Sequence, residues 1–272
     1  MWRRDRSIEA ELMNVHNKGT WKTILRNALT HEQRRAVIRS SMFLREKFFA
    51  SGPFEKIKAR LVAGGDQQDR ELYEDLSSPT VAAACVMAVS AIAAHERRTV
   101  ITIDIGGAFL NASMPTDTGV IVHMRLDAKM TAILVRLLPE YAPFVDAKGE
   151  LVVRLNKCLY GCLESALAWY RDLRGTLEGD SYVVNVYDPC VFNKKDQEGT
   201  QCTVTVHVDD LKATSVNDEM LEQLVCLLKR VYKEIAVHRG KKHDYLGITH
   251  DYSTPGQVKL TMERIVETLM NE

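Results

Sequence analysis

Cys202-Thr203-Val204-Thr205-Val206-His207-Val208-Asp209-Asp210-Leu211 alternates apolar and polar residues and then sets two aspartates side by side. A period of two predicts a half-buried strand, with Val204, Val206 and Val208 on one face and Thr203, Thr205 and His207 on the other. Adjacent carboxylates at the end of an apolar strand repel each other and lose hydration, a cost that a divalent cation offsets. A second apolar strand, Thr99-Val100-Ile101-Thr102-Ile103-Asp104-Ile105, also ends on a carboxylate. Asp104, Asp209 and Asp210 together form the donor set that a two-metal phosphoryl-transfer site needs. Taken singly, each is equally an ordinary turn residue.

The chain has 272 residues, 46% hydrophobic and 26% charged, enough for a substantial folded core. Lys/Arg and Asp/Glu balance at 36 each, so net charge selects no partner. Their distribution says more: the first sixty residues carry fourteen Lys/Arg against six Asp/Glu, and the remainder is acidic by the same margin. A basic part beside an acidic part suits a protein that holds a polyanion with one and metal ions with the other. Cys85, Cys158, Cys162, Cys190, Cys202 and Cys226 sit mostly inside apolar runs, which predicts free buried thiols in a reducing compartment. Cys158 and Cys162 lack a matching Cys/His pair at zinc-ligand spacing. The longest apolar run, residues 81–94, is too short to span a bilayer, and no apolar segment backs the Arg-containing start. An intracellular, cytoplasmic protein without a membrane partner is expected.

Along the chain, Ser7 is placed as the N-cap of a helix over 7–18 stopped by Gly19. Strands are expected over 20–24, 38–49 and 55–63, the last two joined by a turn at Ala50-Ser51-Gly52-Pro53. After a polar loop, Ser77-Ser78-Pro79-Thr80 is expected to open an Ala-rich helix to His95. Further strands are read at 99–105, 119–126, 151–155, 183–187, 190–193 and 203–208. Helices are read at 128–137, 163–177 and 217–232, with a short helical piece to Ala112. A closing hairpin of 245–250 and 257–261 turns at Pro255-Gly256. This irregular mixture predicts an α+β fold, an antiparallel sheet with helices packed on one face.

Several smaller groups have both a chemical and a plain reading. Gly106-Gly107 would let a ligand approach the backbone, with Phe109 as a planar wall or as ordinary core. Lys58 and Arg60 share a strand face and suit a polyphosphate, or simply protect an edge strand. Tyr160-Gly161 offers an aromatic face to a base, or packs in the core. Lys241 and Lys242 are candidate proton donors near a polyphosphate, or a solvated basic turn.

In this order the segments resemble the reverse transcriptase of Ty1/copia-type LTR retrotransposons. The resemblance rests on Lys58-Ala59-Arg60-Leu61-Val62-Ala63, Ser78-Pro79, Asp104-Ile105 with Ala108-Phe109-Leu110-Asn111, and Leu159-Tyr160-Gly161 with Ala168-Trp169-Tyr170. It continues through Asp188-Pro189-Cys190-Val191-Phe192, Val208-Asp209-Asp210-Leu211 and Tyr245-Leu246-Gly247. It implies a right-hand polymerase: residues 1–98 mainly fingers, 99–252 mainly palm, and 253–272 the start of a thumb or connection, the thumb being incomplete or absent. The implied reaction is extension of a primer 3′-OH by dNTPs on an RNA or DNA template. Asp104, Asp209 and Asp210 would hold two Mg²⁺ ions, with Mn²⁺ as the alternative. Lys58, Arg60, Ile105, Phe109, Tyr160 and Gly161 would meet the incoming nucleotide, Phe109 as the gate against a ribose 2′-OH. His207, Val208, Tyr245, Leu246 and Gly247 would face primer and template, and Lys241 or Lys242 would act as general acid. Ribonuclease H and integrase would be partners from the rest of a polyprotein, and an active element would place the chain in a virus-like particle. Three places depart from the pattern: His207 stands for the usual Tyr, Leu163-Glu164-Ser165-Ala166 for a stretch with Lys, Gln and Pro, and Gly64-Gly65-Asp66 lacks a basic residue. A catalytically inactive remnant that at most binds nucleic acid is the alternative reading.

Overall fold

The computed structural model describes residues 2–48, 54–116, 119–263, 266 and 270. Among the described residues the α-helices are α1 (Trp2–Asn17), α2 (His31–Arg35), α3 (Ala83–His95), α4 (Ala128–Leu137), α5 (Ser165–Gly179) and α6 (Asp218–Tyr232). The strands are β1 (Trp21–Ile24), β2 (Ile38–Phe48), β3 (Phe54–Ala63), β4 (Thr99–Ile105), β5 (His123–Leu126), β6 (Leu151–Leu155) and β7 (Val183–Val184). They continue with β8 (Val191–Lys195), β9 (Gln201–His207), β10 (Asp210–Ser215), β11 (Ile235–Arg239), β12 (Lys242–Tyr245), β13 (Ile248–Asp251) and β14 (Lys259–Thr261). The chain divides into two compact units, Met1–Ser77 with Phe109–Trp169, and Ser78–Ala108 with Tyr170–Glu272. The α+β expectation holds, but the single antiparallel sheet does not: the described strands form three sheets, and the β2–β5 pair is parallel.

The first unit contains a sheet in the order β1-β6-β5-β2-β3. An exposed edge strand invites pairing with another chain, and α1 blunts that edge. Leu12 and Val15 of α1 and Leu61 of β3 are fully buried. The Leu61 amide donates to Glu11 Oε1 at 3.0 Å, and Ser7 Oγ donates to the Ile57 carbonyl at 2.9 Å. Ser7 is therefore not an N-cap: α1 begins earlier, and Ser7 works from inside it. Gly19 does end this segment, in the left-handed region with φ 65°. The long β2–β3 hairpin sets Phe43 opposite Arg60, Arg45 opposite Lys58 and Lys47 opposite Lys56. The expected turn at 50–53 lies outside the described residues.

The second unit contains a six-stranded sheet, β11-β4-β10-β9-β8-β7, and a three-stranded sheet, β12-β13-β14. The β9 strand lies between β10 and β8, and Cys202 to Val206 are all buried. The half-buried expectation fails because Thr203 and Thr205 find partners inside, at Asn193 Oδ1 (2.9 Å) and the Lys212 carbonyl (3.3 Å). Helix α3 starts at Ala83, four residues past Pro79, so Pro79 is not in its first turn. Its N-cap residue, Ala82, has no capping side chain, and the carboxylate of buried Asp188 accepts from the Ala82 amide at 2.9 Å instead. The same carboxylate accepts from the Cys190 amide at 2.9 Å. Replacing Asp188 with Ala removes this remote cap and should lower stability by about 1–2 kcal/mol, read as a lower urea midpoint at unchanged slope.

The strand expected at 245–250 is split in two by a tight turn at Leu246 (φ 55°) and Gly247 (φ 77°). Two successive positive φ values match the hairpin turn whose twist suits the flanking strands. All six cysteines are free thiols, but Cys226 is exposed and Cys85 only half-buried. No helix among the described residues is long and apolar enough to cross a membrane.

Lys212 of β10 is fully buried, and its Nζ donates to Ser90 Oγ of α3 at 2.6 Å. The ammonium also lies 5.4 Å from the centre of the Tyr245 ring. Ser90 Oγ in turn meets His250 Nδ1 at 3.2 Å. No carboxylate among the described residues pairs with the amine, and burial pulls its pKa down to about 8. The folded chain thus gives up this proton well below the unfolded value of about 10.4, so the unfolded state binds more protons between pH 8 and 10. Stability from this group therefore rises with pH across that window, by up to about 3 kcal/mol. Urea midpoints at pH 7.5 and 10 should show the gain in the wild type and its absence in Lys212→Met.

Candidate functional site

The three aspartates meet through backbone register. Asp104 of β4 is the cross-strand partner of Asp210 of β10. The Ile105 amide donates to the Asp209 carbonyl at 3.0 Å, which ties the β9–β10 turn to the end of β4. His207 pairs with Asp210, so only Val208 and Asp209 form the loop of this hairpin. Val208 has φ 56°. A left-handed conformation costs an L-residue about 1–2 kcal/mol, and a β-branched one adopts it rarely. Strain of this kind concentrates at functional sites.

Asp104 and Asp210 are exposed and Asp209 half-buried. Asp210 keeps an exposed surface, but partial loss of hydration around its carboxyl, then the Asp209 and Asp104 carboxylates, raise its pKa above the ordinary carboxylate range, with His207 opposing them. Three hard oxygen donors at one strand end, repelling one another, suit Mg²⁺ in donor type. Among the described residues, however, no three His, Cys, Asp or Glu side chains are gathered closely enough to hold a metal ion. The backbone register nonetheless sets Asp104 directly opposite Asp210. A fourth acid escaped the sequence reading. Gly106 donates its amide to the Glu234 carbonyl at 2.9 Å, and a Cβ at Gly106 would meet the Glu234 side chain at 3.2 Å. Gly106 therefore makes room for Glu234 rather than for a ligand.

The other residues expected at the site in this unit fall as follows. Ile105 has its side chain in the core at 1% exposure and its amide already bonded, which leaves little of it for a nucleotide. His207 is half-buried, and its Nδ1 has no hydrogen-bond partner among the described residues. Tyr245 is buried, its hydroxyl donating to the Thr205 carbonyl at 3.2 Å, while Leu246 and Gly247 form the turn beyond it. Lys242 pairs with Asp251 at 3.2 Å, and Lys241 lines a cavity with Arg97 and Arg98.

In the first unit, Arg60 lies over the Tyr160 ring at 4.1 Å, and Phe109 meets that ring edge-on at 4.8 Å. The sequence-predicted trio thus forms one stack, worth about 1–2 kcal/mol in aromatic and cation–π attraction. Lys58 is exposed on the same strand face as Arg60. Tyr160 is held by the Ala63 amide, which donates to its carbonyl at 2.7 Å, and Gly161 follows with φ 91°. Glu164, which replaces an expected polar or basic residue, is buried at 5% exposure. Gln68 Nε2 donates to it at 2.9 Å and the Tyr73 hydroxyl at 3.2 Å, while the Leu163 amide donates to Gln68 Oε1 at 2.8 Å. This departure is thus absorbed by a local polar network.

The family described as reverse transcriptase (RNA-dependent DNA polymerase) matches residues 53–272. Over 170 residues the chain is 25% identical to the Retrovirus-related Pol polyprotein from transposon TNT 1-94 of Nicotiana tabacum, covering 62% of this chain and 12% of that protein. Over 220 residues it is 24% identical to the Transposon Ty1-NL2 Gag-Pol polyprotein of Saccharomyces cerevisiae, covering 76% and 11%. The chain therefore spans about a tenth of the length of these curated relatives. With the family matched over most of its length, the chain belongs to the reverse transcriptase (RNA-dependent DNA polymerase) family, as the reverse transcriptase domain of a Ty1/copia-type retrotransposon.

Proposed function

We propose that this chain extends a primer 3′-OH with dNTPs on an RNA or DNA template. The observation that supports it most is the register Asp104 opposite Asp210, with Asp209 in the connecting turn. In this reading Asp104 and Asp209 would be the main holders of two Mg²⁺ ions, assisted by Asp210. When bound, the ions supply activation of the attacking hydroxyl and neutralisation of charge on the leaving pyrophosphate. The chain's own part is to concentrate negative charge at one hairpin end. Lys58 and Arg60 neutralise the triphosphate, Arg60 with its guanidinium plane fixed by Tyr160. Phe109, braced by the same ring, is the wall against a ribose 2′-OH. The Tyr245-Leu246-Gly247 turn and His207 face the primer. The first unit's basic hairpin takes the fingers role and the second unit's carboxylate sheet the palm role.

Primer extension on a primed RNA template tests the proposal, with Mg²⁺ or Mn²⁺ as the only variable. Ion-dependent extension is expected. A second reading, a nucleic-acid-binding remnant, draws on His207, whose Nδ1 has no hydrogen-bond partner among the described residues, and on the buried acid Glu164 in the grip segment. Salt-dependent template binding without extension under either ion, also from a version extended at the C-terminus, would establish that reading instead.

A further inference from the structure

Helix α3 closes in a Schellman arrangement, Arg98 N donating to the Ala93 carbonyl at 2.8 Å and Arg97 N to the Ala94 carbonyl at 3.1 Å. The left-handed position in that motif favours glycine, yet Arg97 occupies it with φ 55°. Keeping a side chain there costs about 1 kcal/mol, which calls for a use of the side chain. Arg97 lines a cavity of about 280 Å³ together with Arg98 and Lys241. Ala93, Ala94 and Tyr252, part of a core cluster with Val100, also line it, as does the turn over residues 253–257. No Asp or Glu is among the lining residues. The Arg98 side chain is only 7% exposed, fixed by Glu96 at 2.8 Å and by Thr203 Oγ1 at 3.3 Å. Arg97 and Lys241 are exposed and have no ion-pair partner among the described residues. Cations in a last helical turn complement the helix dipole. That explains neither Lys241, which comes from a different segment, nor the strained backbone at Arg97.

We propose that this cavity is an anion site that takes a phosphate group. Its volume suits a phosphate with its attached sugar and falls just short of the roughly 300 Å³ of the smallest drug-sized pockets. Arg98 is the pre-positioned donor, and Arg97 and Lys241 close on the remaining oxygens with charge-assisted hydrogen bonds. The phosphate belongs either to a nucleic-acid strand or to a free nucleotide, and neither source depends on the chain being an active polymerase.

The full chain and its Arg97→Gly and Arg97→Glu variants are titrated with inorganic phosphate, with deoxyadenosine monophosphate and with a short DNA duplex over a range of salt. Arg97→Gly should melt at the same or a higher temperature, because glycine relieves the left-handed strain, while phosphate affinity falls at least fivefold. Arg97→Glu should weaken it further. If the strand is the source, the slope of log affinity for duplex against log salt falls by about one in Arg97→Gly. If the free nucleotide is the source, only the two small probes respond. Wild-type affinity of both variants for all three probes, or no measurable binding of any probe by the wild type, overturns the proposal.

Discussion

Replacing Asp209 or Asp104 with Asn should abolish ion-dependent primer extension while leaving the fold intact. Asn keeps the shape and one oxygen acceptor but removes the charge, and charge is what the hairpin end supplies. A single well-placed electrostatic group is typically worth on the order of 10²–10³ in rate. Loss of a carboxylate that in the proposed reading would help to hold the ions should reach at least that. The companion prediction has the opposite sign. The Asp210 pKa is raised by partial loss of hydration and by its two neighbours, so the unfolded chain ionises that carboxyl more readily than the folded one. Above the ordinary carboxylate range this repulsion weakens the fold, and stability from Asp210 returns as pH falls through its raised pKa. Asp210→Asn, neutral at every pH, should therefore resist urea better than wild type at pH 7 while extending primers worse. Such opposition between stability and activity marks a site held together against its own charge. Primer-extension rates and urea midpoints for the three Asn variants decide it; three active variants would remove the carboxylates from the proposed chemistry.

That charge conflict was legible in the sequence because it needs only the residue types and the strand periodicity. The register was not. Asp210 to Ser215 carries no strand signal of its own, although it forms the strand that faces β4 and places Asp210 opposite Asp104. The cause is composition: Asp-Leu-Lys-Ala-Thr-Ser contains a lysine and two small residues, and nothing local reveals that Lys212 is buried against Ser90, far away in sequence. The start of α3 was misplaced for a similar reason. Pro79 is a strong local signal, but the actual cap is Asp188, 106 residues downstream of Ala82. Long-period helices such as α4 and α6 were read almost to the residue, since their apolar stripes are local. Phe109, Tyr160 and Arg60 were each named, yet their stacking needed three separate segments to converge.

Gly161→Ala should strongly destabilise the first unit. Gly161 has φ 91°, a region that L-residues enter only with strain of roughly 1–3 kcal/mol. A Cβ there would also collide with the Ala63 carbonyl oxygen and come to 2.7 Å of Val62 Cγ1. The carbonyl cannot swing away freely, because the Gly64 amide of the same peptide unit is bonded to the Arg39 carbonyl at 2.8 Å. Relief by backbone movement adds roughly 1–3 kcal/mol more, so the total is about 4 kcal/mol, or a drop of roughly 10 °C in Tm. Gly65→Ala tests the same contact from the other side, since its Cβ would strike the Gly161 carbonyl oxygen. Gly175→Ala is the control: it lies inside α5 with open space around the added methyl, and should be neutral or gain up to about 1 kcal/mol. Thermal melts of the three variants separate backbone contact from a general intolerance of alanine. The two destabilising changes should also disturb Arg60, because its platform, Tyr160, adjoins the displaced glycine. A Gly161→Ala protein that melts like the wild type would show that the 160–161 segment moves freely against β3, and would remove the rigid platform from the triphosphate reading of Lys58 and Arg60.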